Sequence, residues 1–312
     1  MNTILFSEWA IMWLESVRGT VKENTFEATY RNSVENHLIP EFGNKTMDEI
    51  KPIELQVFLN KSAEKYSVDT VKKFKSCLKQ IFDDAVYNDY CCKNPAYKLK
   101  VYKNVRTTEA VEDRIYTPQQ IELIEAYALK HRFGLDILLL LETGMRRGEM
   151  LGLTWNNVDF RNKAIYIKQA VAIVRTDDIV TTQVGTPKND SSVRVIPIST
   201  DFTEYLKNVK EKSASPYVVH NKNNNVLNPR TWQRRHYDVF MNDMHNEYIK
   251  VNIDIPVYAP HRLRHSRASC WVNGGINLYA VAKTLGHSNL EMLKKRYAHS
   301  NLEEVRNLLR LQ

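Results

Sequence analysis

One segment in the middle of the chain places charged side chains between two apolar stretches. Residues 138–155 run from LLLLE through TGMRRGE (143–149) into MLGLTW. An arginine beside two buried segments is costly unless its guanidinium meets an anion. For Arg146 that anion is either Glu149, in a structural ion pair, or a bound phosphate, with Glu149 holding the arginine from behind. The segment therefore allows phosphate chemistry without requiring it.

Two further segments supply cationic side chains of the kind that phosphate chemistry uses. Lys188 lies in TPKNDSS (186–192), at a hairpin tip where a lysine is ordinarily a solvated charge. His261 and Arg264 lie three residues apart in HRLRHS (261–266), so a helix would present both on one face. His261 and His265 have a spacing that suits metal ligands, but no carboxylate or cysteine stands at helical spacing from them. We therefore expect no metal site.

The last of these segments combines a histidine with a tyrosine. A helix is predicted to end at Gly286, and His287 follows in the turn. Tyr297 lies on the next predicted helix, beside Lys294 and Lys295. A single tyrosine among sixteen is more often a packing residue. Taken singly, each of the four segments is a weak signal.

Taken together, the four segments resemble the tyrosine recombinase (phage integrase) family. TGMRRGE, a hairpin lysine, HRLRHS, LGHS (285–288) and a tyrosine followed by AH (298–299) occur in the family's order. The resemblance covers nearly the whole chain, because the first hundred residues are similar to the family's helical core-binding domain. The interval from His287 to Tyr297 is ten residues, one longer than we expect from the family.

The resemblance implies a transesterification at a DNA phosphodiester. Tyr297 would attack the phosphorus to give a 3′-phosphotyrosyl bond and a free 5′-hydroxyl. A free tyrosine has a pKa of about 10, so its phenol needs help to lose the proton. The implied catalytic set is Arg146, Lys188, His261, Arg264, His287 and Tyr297, with Glu149 in a supporting role.

Each member of that set has a physically reasonable task. Arg146 and Arg264 can meet the extra negative charge of the pentacoordinate phosphorus with planar donor forks, and His287 adds a donor. Lys188 can protonate the leaving 5′-oxygen, and His261 is placed to move the tyrosine proton. These side chains replace the metal of many phosphoryl-transfer enzymes, so no metal ion or other cofactor is expected.

The implied partners are double-stranded DNA, at attachment sites, and further copies of the chain. We expect a homotetramer on DNA, together with accessory directionality or DNA-bending factors, and mostly salt-sensitive phosphate contacts. Beyond the catalytic set, the expected DNA contacts are Lys72, Lys73, Lys75, Lys79, Arg147, Lys294 and Lys295. A terminal helix over 301–311 either packs on its own domain or, as we favour, docks on a neighbouring copy.

A helical core DNA-binding domain is predicted over residues 1–103. Apolar residues recur at helical spacing from Phe6 to Val17, and again from Val71 to Ala85 after the capping run SVDT (67–70). Between them, residues 25–37 form a second helix that PEFG (40–43) ends, and Pro52 opens a third, short helix with Ile53, Val57 and Phe58 as its apolar residues. The lysines on the solvated face of the long helix fit simple solubilisation as well as phosphate contact.

A polar interdomain linker is predicted over 104–116, and a catalytic domain over 117–312. TPQQ (117–120) begins its first helix, with Thr117 as N-cap, Pro118 as the first helical residue and Gln120 as the third, the spacing of a capping box. An apolar helix over 133–141, β-rich runs over 164–173, 179–184 and 193–198, and helices after Asp201 indicate an α+β domain. The predicted fold class is therefore mainly α with a small antiparallel β-sheet.

Composition agrees with a nucleic-acid partner. The 312 residues carry a formal net charge of +8, of which +7 falls in residues 104–312, although charge alone also fits a basic protein with no special partner. There is no run of eighteen apolar residues and no basic start to the first helix, and the four cysteines favour a reduced compartment. We expect a cytoplasmic, DNA-associated protein of a bacterial cell, either a short recombinase or a shortened piece of one.

Two other functions stay open from the sequence. A type IB topoisomerase shares the tyrosine, arginine and lysine chemistry, but the terminal helix and the compact helical first domain favour recombination. A DNA-binding protein that has lost catalysis is disfavoured by the complete set from Arg146 to Tyr297. We therefore predict a site-specific recombinase that integrates or excises a mobile element.

Overall fold

The computed structural model describes residues 3–102, 114–176, 179–185 and 193–286. The chain divides into two compact units, Met1–Asp113 with Val174–Thr181, and Arg114–Ile173 with Thr182–Gln312. Several predicted features lie outside the described residues. They are most of the linker, the tip of the 186–192 hairpin with Lys188, and residues 287–312 with His287, Lys294, Lys295, Tyr297 and the helix over 301–311.

Residues 3–102 are helical, as the periodicity predicts. The helices are α1 (Phe6–Val17), α2 (Glu23–Thr25), α3 (Ile39–Phe42), α4 (Pro52–Lys65) and α5 (Val68–Tyr87), and π-helical stretches at Phe26–Arg31 and Val34–Leu38 join α2 to α3. Their apolar faces form one core, in which Trp13 of α1 also donates a hydrogen bond to Asp84 at 2.8 Å. Ser67 caps α5 by accepting from the Thr70 amide at 3.2 Å.

Two details of this helical unit differ from the prediction. The second helix does not end before Pro40, because this proline lies in the first turn of α3, where its missing N–H and fixed φ are tolerated. The chain stays helical to Phe42. In α4, Phe58 is buried, but Ile53 and Val57 are exposed. Apolar residues at helical positions therefore mark the helix without all marking its core.

Residues 114–286 combine helices with short strands. The helices are α6 (Pro118–Ala128), α7 (Gly134–Thr143), α8 (Arg147–Leu151), α9 (Thr200–Glu211), α10 (Pro229–Trp232), α11 (Asp238–Ile249), α12 (His261–Asn273) and α13 (Leu278–Leu285). The strands are β1 (Val158–Asp159), β2 (Ala164–Ile167), β3 (Ala170–Thr176), β4 (Ile179–Gly185) and β5 (Arg194–Pro197). The buried helix α7 lies in the core of this unit. The predicted fold class, mainly α with a small antiparallel β-component, is confirmed.

The β-rich run over 164–173 is two strands that belong to different sheets. One sheet has the order β1-β2-β5 with antiparallel pairing, and the other pairs β3 with β4. Between β2 and β3, Gln169 donates from Nε2 to the Gly152 carbonyl at 2.6 Å, which fixes the chain where one sheet ends and the other begins. In β5, Arg194 and Ile196 face the interior, while Val195 and Pro197 are exposed. Arg194 pairs with Ile167 of β2.

Helix termini position the segments that carry the predicted catalytic residues. Thr117 begins α6 with the predicted capping box, since its hydroxyl accepts from the Gln120 amide at 3.2 Å and Gln120 accepts from the Thr117 amide at 3.0 Å. Helices α7 and α13 each end at a glycine with positive φ, Gly144 at 59° and Gly286 at 68°. Among the described helices, none has the length and apolar character needed to traverse a bilayer.

Candidate active site

Arg146 and Glu149 form a reciprocal pair at the start of α8. Arg146 is the N-cap, with extended backbone, and Glu149 is the third helical residue. Glu149 Oε2 accepts from the Arg146 amide at 2.7 Å, and Oε1 accepts from Arg146 Nη1 at 2.8 Å. The Glu149 side chain is buried, whereas that of Arg146 keeps 44% of its surface exposed. The carboxylate thus binds the arginine and leaves part of its guanidinium exposed, an arrangement that both sequence interpretations allow.

Arg194, the first residue of β5, binds the same carboxylate. Its Nη1 and Nη2 donate to Glu149 Oε1 and Oε2 at 2.9 and 2.8 Å, which is a bidentate ion pair between two buried side chains. Its Nε donates to the Thr284 carbonyl at 2.6 Å. Glu149 is therefore shared between Arg146 and Arg194.

The ionisation of Glu149 follows from these contacts. Burial raises the pKa of the Glu149 carboxyl, but the hydrogen bonds and charges of Arg194 and Arg146 outweigh burial and leave the pKa below its usual value. The carboxylate is therefore charged across the neutral range. It can accept four hydrogen bonds at once only in this state.

Arg264 lies buried on α12, one turn after His261, as the spacing predicted. Its Nη1 donates to the Gly144 carbonyl at 2.6 Å, and its Nη2 donates to the Leu285 carbonyl at 2.7 Å. Gly144 needs its left-handed backbone here, and a Cβ on it would lie 2.7 Å from Leu285 Cδ2. The guanidinium therefore ties the end of α7 to the end of α13.

Three arginines meet at the C-terminal end of α13. The carbonyls of Thr284, Leu285 and Gly286 accept from Arg194, Arg264 and Arg146, respectively, the last at 2.8 Å. The C-terminal end of a helix carries partial negative charge on its unsatisfied carbonyls, so it attracts cations. We call Arg146, Arg194 and Arg264 the arginine cluster. In the sequence, His287 follows Gly286 directly.

The structure brings together three of the residues predicted from the sequence. Arg146, Glu149 and Arg264 belong to one hydrogen-bonded arrangement. His261 is the first residue of α12 and is exposed, with its ring 5.8 Å from that of His265 in an edge-on orientation. Lys188, His287 and Tyr297 lie outside the described residues, so their roles stay predictions.

The predicted DNA contacts that the structure describes differ in their surroundings. Arg147 is half-buried and donates from Nη1 to Gln233 Oε1 at 2.6 Å, and burial lowers its pKa. On α5, Lys72 lies 3.2 Å from Asp69 and Lys79 lies 2.6 Å from Asp83. Such carboxylates compete with a phosphate for the same ammonium group. Lys73 and Lys75, the two remaining lysines of α5 in the predicted set, are therefore better candidates for DNA contact.

Arg194 is the member of the site that the sequence prediction missed. A usable signal was present, because Arg194 stands two and four residues before Ile196 and Ile198, on the same side of a strand whose apolar residues point inward. A buried arginine requires an anion, and TGMRRGE supplies one in Glu149. No group of three or more potential metal ligands occurs within the described residues.

Two family descriptions match the chain. Residues 106–304 match the phage integrase family, and residues 5–63 match the phage integrase N-terminal SAM-like domain. The chain belongs to the phage integrase family. This confirms the resemblance that the four sequence segments carry. Phage integrase family members are tyrosine recombinases, a class of enzymes that transfer DNA strands without a metal ion.

Curated relatives agree with this family. A XerC-like tyrosine recombinase from Caldanaerobacter subterraneus subsp. tengcongensis is 29% identical over 90% of this chain and 75% of its own length. The Tn916 transposase from Enterococcus faecalis is 28% identical over 80% of this chain. The chain spans 63% of that transposase.

Solved structures show the same fold at lower identity. A Tn1549 transposon integrase segment in complex with a circular intermediate DNA superimposes with a TM-score of 0.80 at 22% identity, covering 99% of this chain and all of that one. A lambda integrase tetramer bound to a Holliday junction gives 0.66 at 16% identity, covering 92% of this chain and 78% of that one. The integrase fold therefore extends over nearly the whole length of this chain.

Proposed function

We propose that this chain is a site-specific recombinase that cleaves and rejoins duplex DNA through Tyr297, and so integrates or excises a mobile element. The observation that supports this most directly is the convergence of Arg146 and Arg264 at the end of α13, which His287 follows in the sequence. The two guanidiniums come from different elements to one place, where a phosphate could meet both. The Tn916 and Tn1549 relatives support a mobile element as the substrate.

In the proposed reaction, the Tyr297 oxygen attacks the scissile phosphorus. The bond to the 5′-oxygen breaks, Lys188 gives that oxygen a proton, and His261 takes up the proton of the phenol. Arg146, Arg264 and His287 stabilise the charge that develops on the non-bridging oxygens. Glu149 positions Arg146. The phosphotyrosyl bond conserves the energy of the broken phosphodiester bond. A 5′-hydroxyl from another strand can therefore displace Tyr297 and complete the exchange.

The assembly follows the same proposal. Residues 1–103 and 117–312 bind duplex DNA on either side of a linker over 104–116, and the helix over 301–311 docks on a neighbouring copy in a homotetramer. The lambda integrase tetramer on a Holliday junction supports this arrangement. Accessory directionality or DNA-bending factors act on the same complex, which we place on DNA in the bacterial cytoplasm.

Covalent capture tests the proposal. The full chain is incubated without metal with duplexes nicked beside candidate attachment half-sites, because the fragment released by cleavage then diffuses away and traps the protein on DNA. We expect an adduct that survives SDS. Tyr297→Phe, which keeps the ring and removes the nucleophilic oxygen, is the matched control and must form none.

The outcomes separate the alternatives. An adduct lost in Tyr297→Phe, with captured DNA that shares one sequence, supports the recombinase. Relaxation of supercoiled plasmid by the chain as a monomer, without a defined site, favours the topoisomerase. Tight DNA binding without any adduct on nicked half-sites overturns the proposal in favour of a binding protein.

A further inference from the structure

We infer that Arg194 is a positioning residue of the recombination site, one that sets the place of Arg146 through Glu149 and also holds the end of α13. The inference deepens the proposed function and rests on it. Arg194 is not assigned to contact DNA. It acts through Glu149 on Arg146, which is assigned to contact the DNA phosphate.

The contacts of Arg194 reach both sides of the site. Two of its nitrogens grip the Glu149 carboxylate in a bidentate pair, and the third donates to the Thr284 carbonyl. The guanidinium is planar, so these three directions are fixed relative to one another. The position of α8 is thereby linked to that of the end of α13 through one rigid group on β5. A lysine has no such fork and cannot make both connections in the same geometry.

The charge balance around Glu149 shows why Arg146 depends on Arg194. Among the described residues, the charged groups that hydrogen-bond to Glu149 are Arg146 from its own segment and Arg194 from β5. With Arg194 in place, the carboxylate receives two hydrogen bonds from a buried cation, and the guanidinium of Arg146 stays partly exposed. Without Arg194, a buried carboxylate has Arg146 as its remaining cation and draws that guanidinium inward, away from a phosphate.

A second arginine, in a less buried pair, provides a control for the loss of the same kinds of bond. Arg267 on α12 also donates through Nε to a carbonyl, that of Leu141, and through Nη2 to a carboxylate, that of Glu125. Neither partner belongs to the arginine cluster. Arg267→Gln therefore removes the same kinds of bond as Arg194→Gln from another place in the same unit.

The experiment measures covalent capture per folded molecule for Arg194→Gln, Arg194→Lys and Arg267→Gln over about pH 6 to about pH 8. We expect Arg194→Gln to lower the rate about a hundredfold, the scale of a small misplacement of a reacting group. Its rate should recover in part towards acid relative to that of the native chain, since a buried Glu149 that has lost Arg194 takes up a proton more readily and then no longer draws Arg146 inward. Arg194→Lys should recover only part of the rate, and Arg267→Gln should keep both the native rate and the native pH profile.

A stability comparison tests the link to Glu149 without any activity. Glu149→Gln should destabilise the native chain but should cost clearly less in the Arg194→Gln background, because the carboxylate there has already lost its bidentate partner. The inference is overturned if Arg194→Gln keeps the native rate and pH profile per folded molecule, or if Glu149→Gln costs the same in both backgrounds. A native chain that forms no adduct would count against the proposed function, and the stability comparison would still decide whether Arg194 holds Glu149.

Discussion

Arg146 and Arg264 donate hydrogen bonds to the carbonyls of adjacent residues, Gly286 and Leu285. The two guanidiniums reach this point differently. Arg264 is buried and bound by two carbonyls from two helix ends, while Arg146 is partly exposed and shares its donors between a carbonyl and a carboxylate. Arg264 is thus part of the scaffold as well as the proposed phosphate site, and Arg146 is chiefly the latter.

Replacing each of these arginines by lysine should therefore have different effects. Both variants lose the planar fork, so we expect capture to fall about a hundredfold to a thousandfold in each, as for the loss of a transition-state donor. Arg264→Lys should also lower the free energy of unfolding by about 1–3 kcal/mol, because a buried carbonyl is left unsatisfied. Arg146→Lys should change that free energy by less than about 1 kcal/mol, since its head group stays in water.

Urea denaturation and capture assays on the two variants check this contrast. Equal losses of stability would show that exposure does not separate the roles of Arg146 and Arg264. If either variant captured DNA at the native rate, the arginine that it lacks would not belong to the proposed phosphate site.

Gly144→Ala should disturb the site through the backbone. Gly144 has a φ of 59°, and an added Cβ would lie 2.7 Å from Leu285 Cδ2, so the residue that accepts from Arg264 must move. We expect a loss of stability of about 1–2 kcal/mol from the left-handed backbone alone, and more from the contact. Capture per folded molecule should also fall.

Gly275→Ala is the control for this substitution. Gly275 has a φ of 83°, but nothing lies within 4 Å of an added Cβ. It should show the backbone strain without the loss of capture. Thermal unfolding of both variants separates the two contributions, and equal capture by both would contradict a role for the Gly144–Leu285 contact.

Glu149→Gln should destabilise the chain in a pH-dependent way. Breaking a buried ion pair costs about 3–5 kcal/mol, and we expect a loss of that order at neutral pH. Because the folded pKa of Glu149 lies below its usual value, the stabilisation is fully present above the unfolded pKa of about 4.3 and disappears as pH falls through the folded pKa. The free energies of the native chain and the variant should therefore converge in acid.

Glu204→Gln serves as the comparison in the same denaturation series. Glu204 pairs with Lys207 at 2.7 Å on the surface, where such a pair contributes less than about 1 kcal/mol. If the free energies of unfolding of the native chain and Glu149→Gln differed by the same amount down to acid pH, Glu149 would not be held ionised by its arginines.

The lysines of α5 should not contribute equally to DNA binding. Lys73→Gln with Lys75→Gln should weaken binding and reduce the salt dependence of log K by about 2, since each phosphate contact contributes about 0.9. Lys72→Gln with Lys79→Gln should have a smaller effect, because Asp69 and Asp83 already neutralise these lysines. Salt titrations of binding measure both slopes, and two unchanged slopes would assign this face to solubility alone.

The sequence was sufficient for the elements whose signals are local. Helices α1 and α5 follow from apolar residues at helical spacing, and α6 begins with the capping box predicted at Thr117. Arg146, Glu149 and Arg264 could be proposed as site residues because each lies in a short motif, and the motifs together resemble the tyrosine recombinase family. In each case the cause lies within about one turn of helix, which a pattern of neighbours records.

What could not be predicted depends on distant contacts. The break between β2 and β3 is tied to the Gly152 carbonyl, which accepts from Gln169 across 17 positions of the chain. Arg194 owes its importance to Glu149, 45 positions away, and no local pattern names that partner. Local periodicity does not encode which buried charges meet, since tertiary packing decides it.

The hydrogen bonds that hold the end of α13 also have a consequence for folding during synthesis on the ribosome. The arginines that hold its end stand 140, 90 and 21 positions upstream in the chain. Contacts of such long sequence separation close late in folding. A nascent chain that has not yet emerged past Gly286 has all three arginines but lacks the three carbonyls of residues 284–286 that accept from them. The proposed site can therefore assemble only after α13 has been synthesised.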